Sequence, residues 1–131
     1  MLSEYQEALK IEEWRLNNLK QYPILEYSVC HLTGSKMSIG VIAKTKKIGA
    51  LKKGIPDYFF PIPTKDSHGL WLELKKEKGG KVSLEQKKWI IAMNNLGYSA
   101  HVVEGAKEAI HFIEHQLKNW IMASKRVTSP V

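Results

Sequence analysis

The sequence predicts an α/β domain, a sandwich of mixed β-sheet and flanking helices. Three observations carry that expectation. Apolar residues recur at helical spacing near both ends of the chain, and Gly69 to Lys76 changes face at every residue, as a strand does. Segments of the two kinds also interleave along the chain instead of separating into halves. With 131 residues and 44% hydrophobic composition, there is enough apolar material for one core and little for a second. The expected organisation is a single domain over residues 1–123, with a flexible tail at 124–131.

Ser3 opens a helix expected to run to about residue 20, with Tyr5, Ala8, Leu9, Leu16 and Leu19 on one face and Pro23 as its stop. Ile24 to Cys30 is apolar and aromatic and reads as a strand, and Gly34-Ser35 as a loop. Residues 38–48 fit a basic helix. After Gly54-Ile55-Pro56, the stretch Asp57 to Phe60 reads as a short strand closed by Pro61 and Pro63. Along Gly69 to Lys76, Leu70, Leu72 and Leu74 share one face and Trp71, Glu73 and Lys75 the other. These two strands are expected to pair as a hairpin. Gly79-Gly80 breaks the chain, and Ser83 starts a helix that Gly97 stops. Tyr98 to Glu104 is a further strand. The last helix begins near Gly105, with Ala106, Ala109, Ile110, Ile113, Leu117 and Ile121 as its apolar stripe.

Twenty Lys plus Arg against thirteen Asp plus Glu give a formal charge of +7. Such a surface gains from a polyanionic partner, because each neutralised phosphate releases counterions. The lysines cluster at Lys44, Lys46, Lys47, Lys52 and Lys53, and again at Lys75, Lys76, Lys78, Lys81, Lys87 and Lys88. A solvated lysine face explains either cluster taken alone. Cys30 is the only cysteine, which excludes an internal disulfide and a thiolate zinc cage and points to a reducing compartment. The opening Met1-Leu2-Ser3-Glu4 lacks the basic-then-apolar pattern of a leader, and no apolar run approaches the roughly 20 residues of a membrane span. The expectation is a soluble, unprocessed cytoplasmic protein without membrane partners. No Gly-x-x-x-x-Gly-Lys-Ser/Thr segment occurs, so no nucleotide cofactor is expected.

Glu73 and Lys75 project from one strand face, and Asp57 follows a Gly-Ile-Pro turn at the mouth of the strand expected to pair with theirs. Phosphodiester hydrolysis uses groups of this kind. Two carboxylates offer hard oxygen ligands to Mg²⁺, and a neighbouring ammonium can hold water or a developing oxyanion. Spacing alone is weak ground, since Glu-x-Lys is more often a surface ion pair worth under about 1 kcal/mol. The joint pattern is stronger.

An Asp after Pro opening a strand, then a loop and an alternating strand with Glu-x-Lys, resembles the motif of the PD-(D/E)XK nuclease superfamily. The segments Lys53-Gly54-Ile55-Pro56-Asp57-Tyr58, Gly69-Leu70-Trp71-Leu72-Glu73-Leu74-Lys75 and Gly79 to Trp89 are similar to the VRR-NUC family, particularly its short stand-alone phage and bacterial members. Leu96-Gly97-Tyr98, Val102-Val103 and Glu108-Ala109 continue the likeness. That resemblance implies a restriction-endonuclease-like fold and a site of Asp57, Glu73, Lys75 and Gln86, with Mg²⁺ or Mn²⁺ as cofactor. It also implies a glutamate on the first helix, for which Glu4 is the match and Glu12 the rival. Metal ligands would be Asp57, Glu73 and Glu4. Lys44, Lys46, Lys47, Lys52, Lys53, Lys76, Lys78 and Lys81 would grip DNA. The implied activity is structure-selective cutting of branched DNA such as four-way junctions by a homodimer, inside a bacterial cell or phage-infected host. A less selective nuclease, or a noncatalytic DNA-binding module on the same fold, is the alternative.

Some of these residues have simpler explanations. Ser83 with Gln86 is a capping-box pattern, and Glu4 in a first helical turn is favoured by the helix dipole. Family members often carry Pro-Asn-Gly where this chain has His31-Leu32-Thr33-Gly34, which leaves His31 without an implied role. His111-Phe112-Ile113-Glu114-His115 fits a His-x-x-Glu-His zinc pattern, but no Asp or Glu follows Glu114 to complete a ligand set, so a partly exposed helix face is the expected reading.

Overall fold

The computed structural model describes residues 1–32, 38–50 and 52–121. The Gly34-Ser35 loop and the 124–131 tail lie outside the described residues. The order is α1 (Glu4–Asn18), a 3₁₀ turn (Pro23–Tyr27), β1 (Val29–Cys30), α2 (Ile39–Lys47), β2 (Tyr58–Phe60), β3 (Leu70–Lys75), α3 (Leu84–Asn95), β4 (Ser99–Glu104) and α4 (Ala106–Lys118). The sheet order is β1-β2-β3-β4. β1, β2 and β3 pair antiparallel, whereas β4 joins β3 in parallel after the α3 crossover, so the sheet is mixed as expected.

The alternation along β3 sorts its side chains. Leu70, Leu72 and Leu74 are buried with Tyr58, Phe60 and Val103 against Ile11 of α1 and Ala106, Ala109, Ile113 and Leu117 of α4. That is the core. The opposite face carries Trp71, Glu73 and Lys75 toward α3, whose first turn holds Gln86. Both α1 and α3 start with complete capping boxes, Ser3 with Gln6 and Ser83 with Gln86. In α2, Ser38 caps the start and no residue is buried.

Two expectations need correction. Ile24 to Cys30 is not one strand: Pro23, with its φ fixed and no N–H to donate, starts a 3₁₀ turn that buries Leu25, and only Val29 and Cys30 pair with β2. The buried stripe of α1 also differs. Tyr5, Leu9 and Leu16 are mostly exposed, and the helix turns Glu7 and Ile11 inward, flanked by Ala8, Trp14 and Leu19. Glu7 belongs there because its Oε1 accepts the Ala106 N–H at the start of α4, at 3.1 Å. A tertiary partner has overridden the apolar periodicity.

Candidate functional site

The loop before β2 is shaped by close packing. Gly54 has φ +85°, and a Cβ there would stand 2.5 Å from the Glu85 carbonyl carbon, so only glycine lets this loop lie on the first turn of α3. Trp89 Nε1 donates to the Lys53 carbonyl at 3.1 Å from the same helix. Pro56 is fully buried. Asp57 therefore leaves a fixed turn, and its Oδ2 accepts the Leu74 N–H at 2.8 Å. The carboxylate is clamped to the backbone of β3 between Glu73 and Lys75.

Glu73 is 2% exposed. Its Oε2 accepts from Gln86 Nε2 at 2.9 Å and lies 3.2 Å from Lys75 Nζ, while its Oε1 is buried without a hydrogen-bond partner among the described residues. Gln86 does two things at once: its Oε1 accepts the Ser83 N–H at 2.9 Å as a helix cap, and its amide N–H holds Glu73. Burial, and next the negative charge of Asp57, push the Glu73 carboxyl up to about 7 against the pull of Lys75. Burial also raises Asp57, opposed by the Leu74 N–H, and the charge of Glu4 adds to the rise. The two carboxyls compete for ionisation in one low-dielectric place, where a cation would relieve both.

Glu4, Ser3, Lys75, Lys76, Gly79, Gly80 and Lys81 line a cavity of about 400 Å³, which Lys75, paired with Glu73, links to these carboxylates. The structure thus brings together Asp57, Glu73, Lys75 and Gln86 and sets Glu4 within electrostatic reach. It does not bring in Glu12, which is exposed and paired with Arg15 at 2.6 Å on another face of α1. That correction follows from the true buried stripe, which runs through Glu7. Lys76 and Lys81 stand at the cavity, Lys78 is exposed, and Lys44, Lys46, Lys47, Lys52 and Lys53 are exposed on α2 and the loop after it. His31 lies on the surface, its N–H donating to the Asp57 carbonyl. His111 and His115 are exposed, and no group of three His, Cys, Asp or Glu side chains forms a preformed metal cage among the described residues.

The donor chemistry fits a hard divalent cation. An unpartnered buried carboxylate oxygen beside a second carboxylate is an oxygen-ligand set, and Mg²⁺ characteristically takes one or two carboxylates while keeping water or phosphate for the rest. Glu7 is the residue that sequence reasoning passed over. Its signal was present, since it stands one turn before Ile11 on the inward stripe.

A mixed sheet flanked by helices, with Asp, Glu and Lys gathered at one strand pair and a basic surface around them, is the arrangement expected of a nuclease-type α/β domain. The family model described as VRR-NUC domain matches residues 3–107, and the chain belongs to that family. A solved structure described as a VRR_NUC domain protein is similar at 27% identity and a TM-score of 0.71, covering 89% of this chain and 89% of that one. None of the curated proteins matches.

Proposed function

We propose that this chain is a metal-dependent endodeoxyribonuclease that hydrolyses phosphodiesters in branched DNA, four-way junctions first among them, and acts as a homodimer. The observation that carries the reading is Glu73: a buried carboxylate with one free oxygen, held by Gln86 and Lys75 next to Asp57. Asp57 and Glu73 would hold Mg²⁺ or Mn²⁺, with Glu4 contributing from across the cavity. The ion, when bound, polarises the phosphate and offsets the charge that develops on it.

The protein's own groups do the rest. Gln86 fixes which Glu73 oxygen is occupied, leaving Oε1 for the ion. Lys75, only 9% exposed and 3.2 Å from Glu73, is a compact ammonium able to orient water and steady the oxyanion. Lys76 and Lys81 at the cavity would take the phosphates alongside. Branched DNA and the homodimer rest on the family resemblance. A junction is large for one small domain to enclose, and two symmetric sites suit the cutting of two of its strands. A cytoplasmic setting in a bacterial or phage-infected cell accords with the lone cysteine and with the lack, among the described residues, of a helix long and apolar enough to cross a membrane.

The test is a panel of junction, flap, nicked, single-stranded and linear duplex DNAs with purified protein, Mg²⁺ or EDTA. Preferential Mg²⁺-dependent cutting of junctions is expected, and D57A, E73A and K75A should each abolish cleavage while retaining DNA binding. Equal cutting of all substrates would remove the junction preference. Retained cleavage by E73A would sink the mechanism.

A further inference from the structure

Glu7 is buried to 2% exposure and touches neither Asp57 nor Glu73 in any hydrogen bond. Burying a carboxylate is costly unless something compensates it. Here the compensation comes from the start of α4: the Ala106 N–H donates to Oε1 at 3.1 Å, where the helix dipole favours negative charge. Gly105 makes the approach possible. At φ +90° it lacks a Cβ that would stand 3.2 Å from Glu7 Oε2.

The bond joins positions 99 residues apart. Its far end is tied to the site, because the Gly105 N–H donates to the Lys75 carbonyl at 2.8 Å. Its near end is one helical turn from Glu4, and residues three apart lie on the same side of a helix. No residue of α1 before Glu7 is fully buried; the Ser3–Gln6 capping box closes that turn on itself, and Glu7 with the neighbouring Ala8 ties it to the rest of the molecule. Ile11 is the next buried residue, a full turn further on.

We infer that Glu7 is a positioning residue: it pins the first turn of α1 to the β4–α4 junction and so holds Glu4 over the cavity beside Lys75. The inference rests on the metal-site reading for its consequence, not for the anchor itself. Oε1 makes the contact and Oε2 has no partner among the described residues, so what the anchor needs is side-chain reach and an acceptor. Charge is secondary. Glu7→Gln keeps both requirements, whereas Glu7→Asp keeps the charge and loses a methylene of reach.

The experiment measures Mn²⁺ binding by titration calorimetry and amide hydrogen exchange on the intact chain, for wild type, E7Q, E7D and E7A. Expected are Mn²⁺ affinity within about threefold of wild type for E7Q and a roughly tenfold loss for E7D and E7A. Exchange at Glu7 and Ala8, whose amides close the first turn, should speed up at least tenfold in E7D and E7A only. If E7A does not fold, the order of E7Q and E7D decides. E7D equal to or better than E7Q in first-turn protection overturns the proposal, as does unchanged exchange in a folded E7A. Wild type that binds no Mn²⁺ would refute the metal site, and the exchange data would still judge the anchor.

Discussion

At the scale of single residues, the site is set by which carboxyl oxygens have partners. Glu73 has one oxygen doubly held and one free, and its carboxyl is pushed up to about 7 by burial and by Asp57. A carboxyl that binds its proton more tightly folded than unfolded stabilises the fold at low pH. That contribution is complete below the ordinary value of 4.5 and is lost as pH rises through about 7. Metal-free wild type should therefore melt at a lower temperature at pH 8 than at pH 5. E73Q, which cannot ionise, should flatten that fall, and Mg²⁺ should restore stability at pH 8 in wild type alone. Glu12, lowered by its hydrogen bond to Arg15, acts in a more acidic window, while His101, lowered by burial, opposes the fall between pH 5 and 8 and Asp57, raised by burial, adds to it. Glu73 is therefore read from the difference between wild type and E73Q and not from either curve alone. Scanning calorimetry across pH 5–8 decides it; parallel curves for the two proteins would contradict the assignment. Reading Asp57, Glu73 and Lys75 as a site came from the resemblance to the VRR-NUC motifs, while the sharing of a strand face by Glu73 and Lys75 near Asp57 was legible in sequence, from the period of two and the Pro-Asp turn. The free Oε1, the burial of Lys75 and the anchoring by Glu7 were not, because each depends on a partner elsewhere in the chain.

At the scale of elements, local signals and tertiary ones divide cleanly. The caps Ser3 and Ser83, the leucines of β3 and the apolar stripe of α4 announced their elements, since each is a periodic or capping pattern within one segment. β1 and the inward face of α1 did not. A two-residue strand has no period to read, and the face of α1 is chosen by the α4 terminus it caps. The contact between the loop before β2 and α3 is likewise invisible locally, yet it sets Asp57 and Gln86 in one frame. At Gly54, alanine would combine a positive φ with a 2.5 Å contact on helix backbone, which cannot give way cheaply. G54A should lose about 1–3 kcal/mol by urea denaturation. It should also lose cleavage at temperatures where it is fully folded, because the loop must back away from α3 and take Asp57 with it. Full activity in a folded G54A would show that the loop position does not set the site.

At the scale of the whole molecule, charge and packing are distributed differently. The core occupies one face of the sheet, beneath α1 and α4, while Glu73 and α3 with Gln86 lie on the other, and the cavity with Lys76 and Lys81 opens where the start of α1 meets Lys75. Helix α2 contributes no buried residue and ends in Lys44, Lys46 and Lys47. A helix that adds nothing to the core and carries three cations at one end is placed better for phosphates than for folding. Replacing all three with alanine should thus leave the melting temperature within about 2 °C of wild type, since surface changes away from special features rarely exceed about 0.5 kcal/mol. DNA affinity should respond much more. Each lost phosphate contact removes about 0.9 from the slope of log K against log salt, so the triple variant should flatten that slope by up to about 3. The turnover rate at saturating DNA should stay unchanged, because none of the three lysines lines the cavity at Lys75. Fluorescence anisotropy between 50 and 200 mM salt, with single-turnover cleavage beside it, separates the two effects. An unchanged slope would make α2 a solvated basic face and move DNA contact to Lys52, Lys53, Lys76 and Lys81.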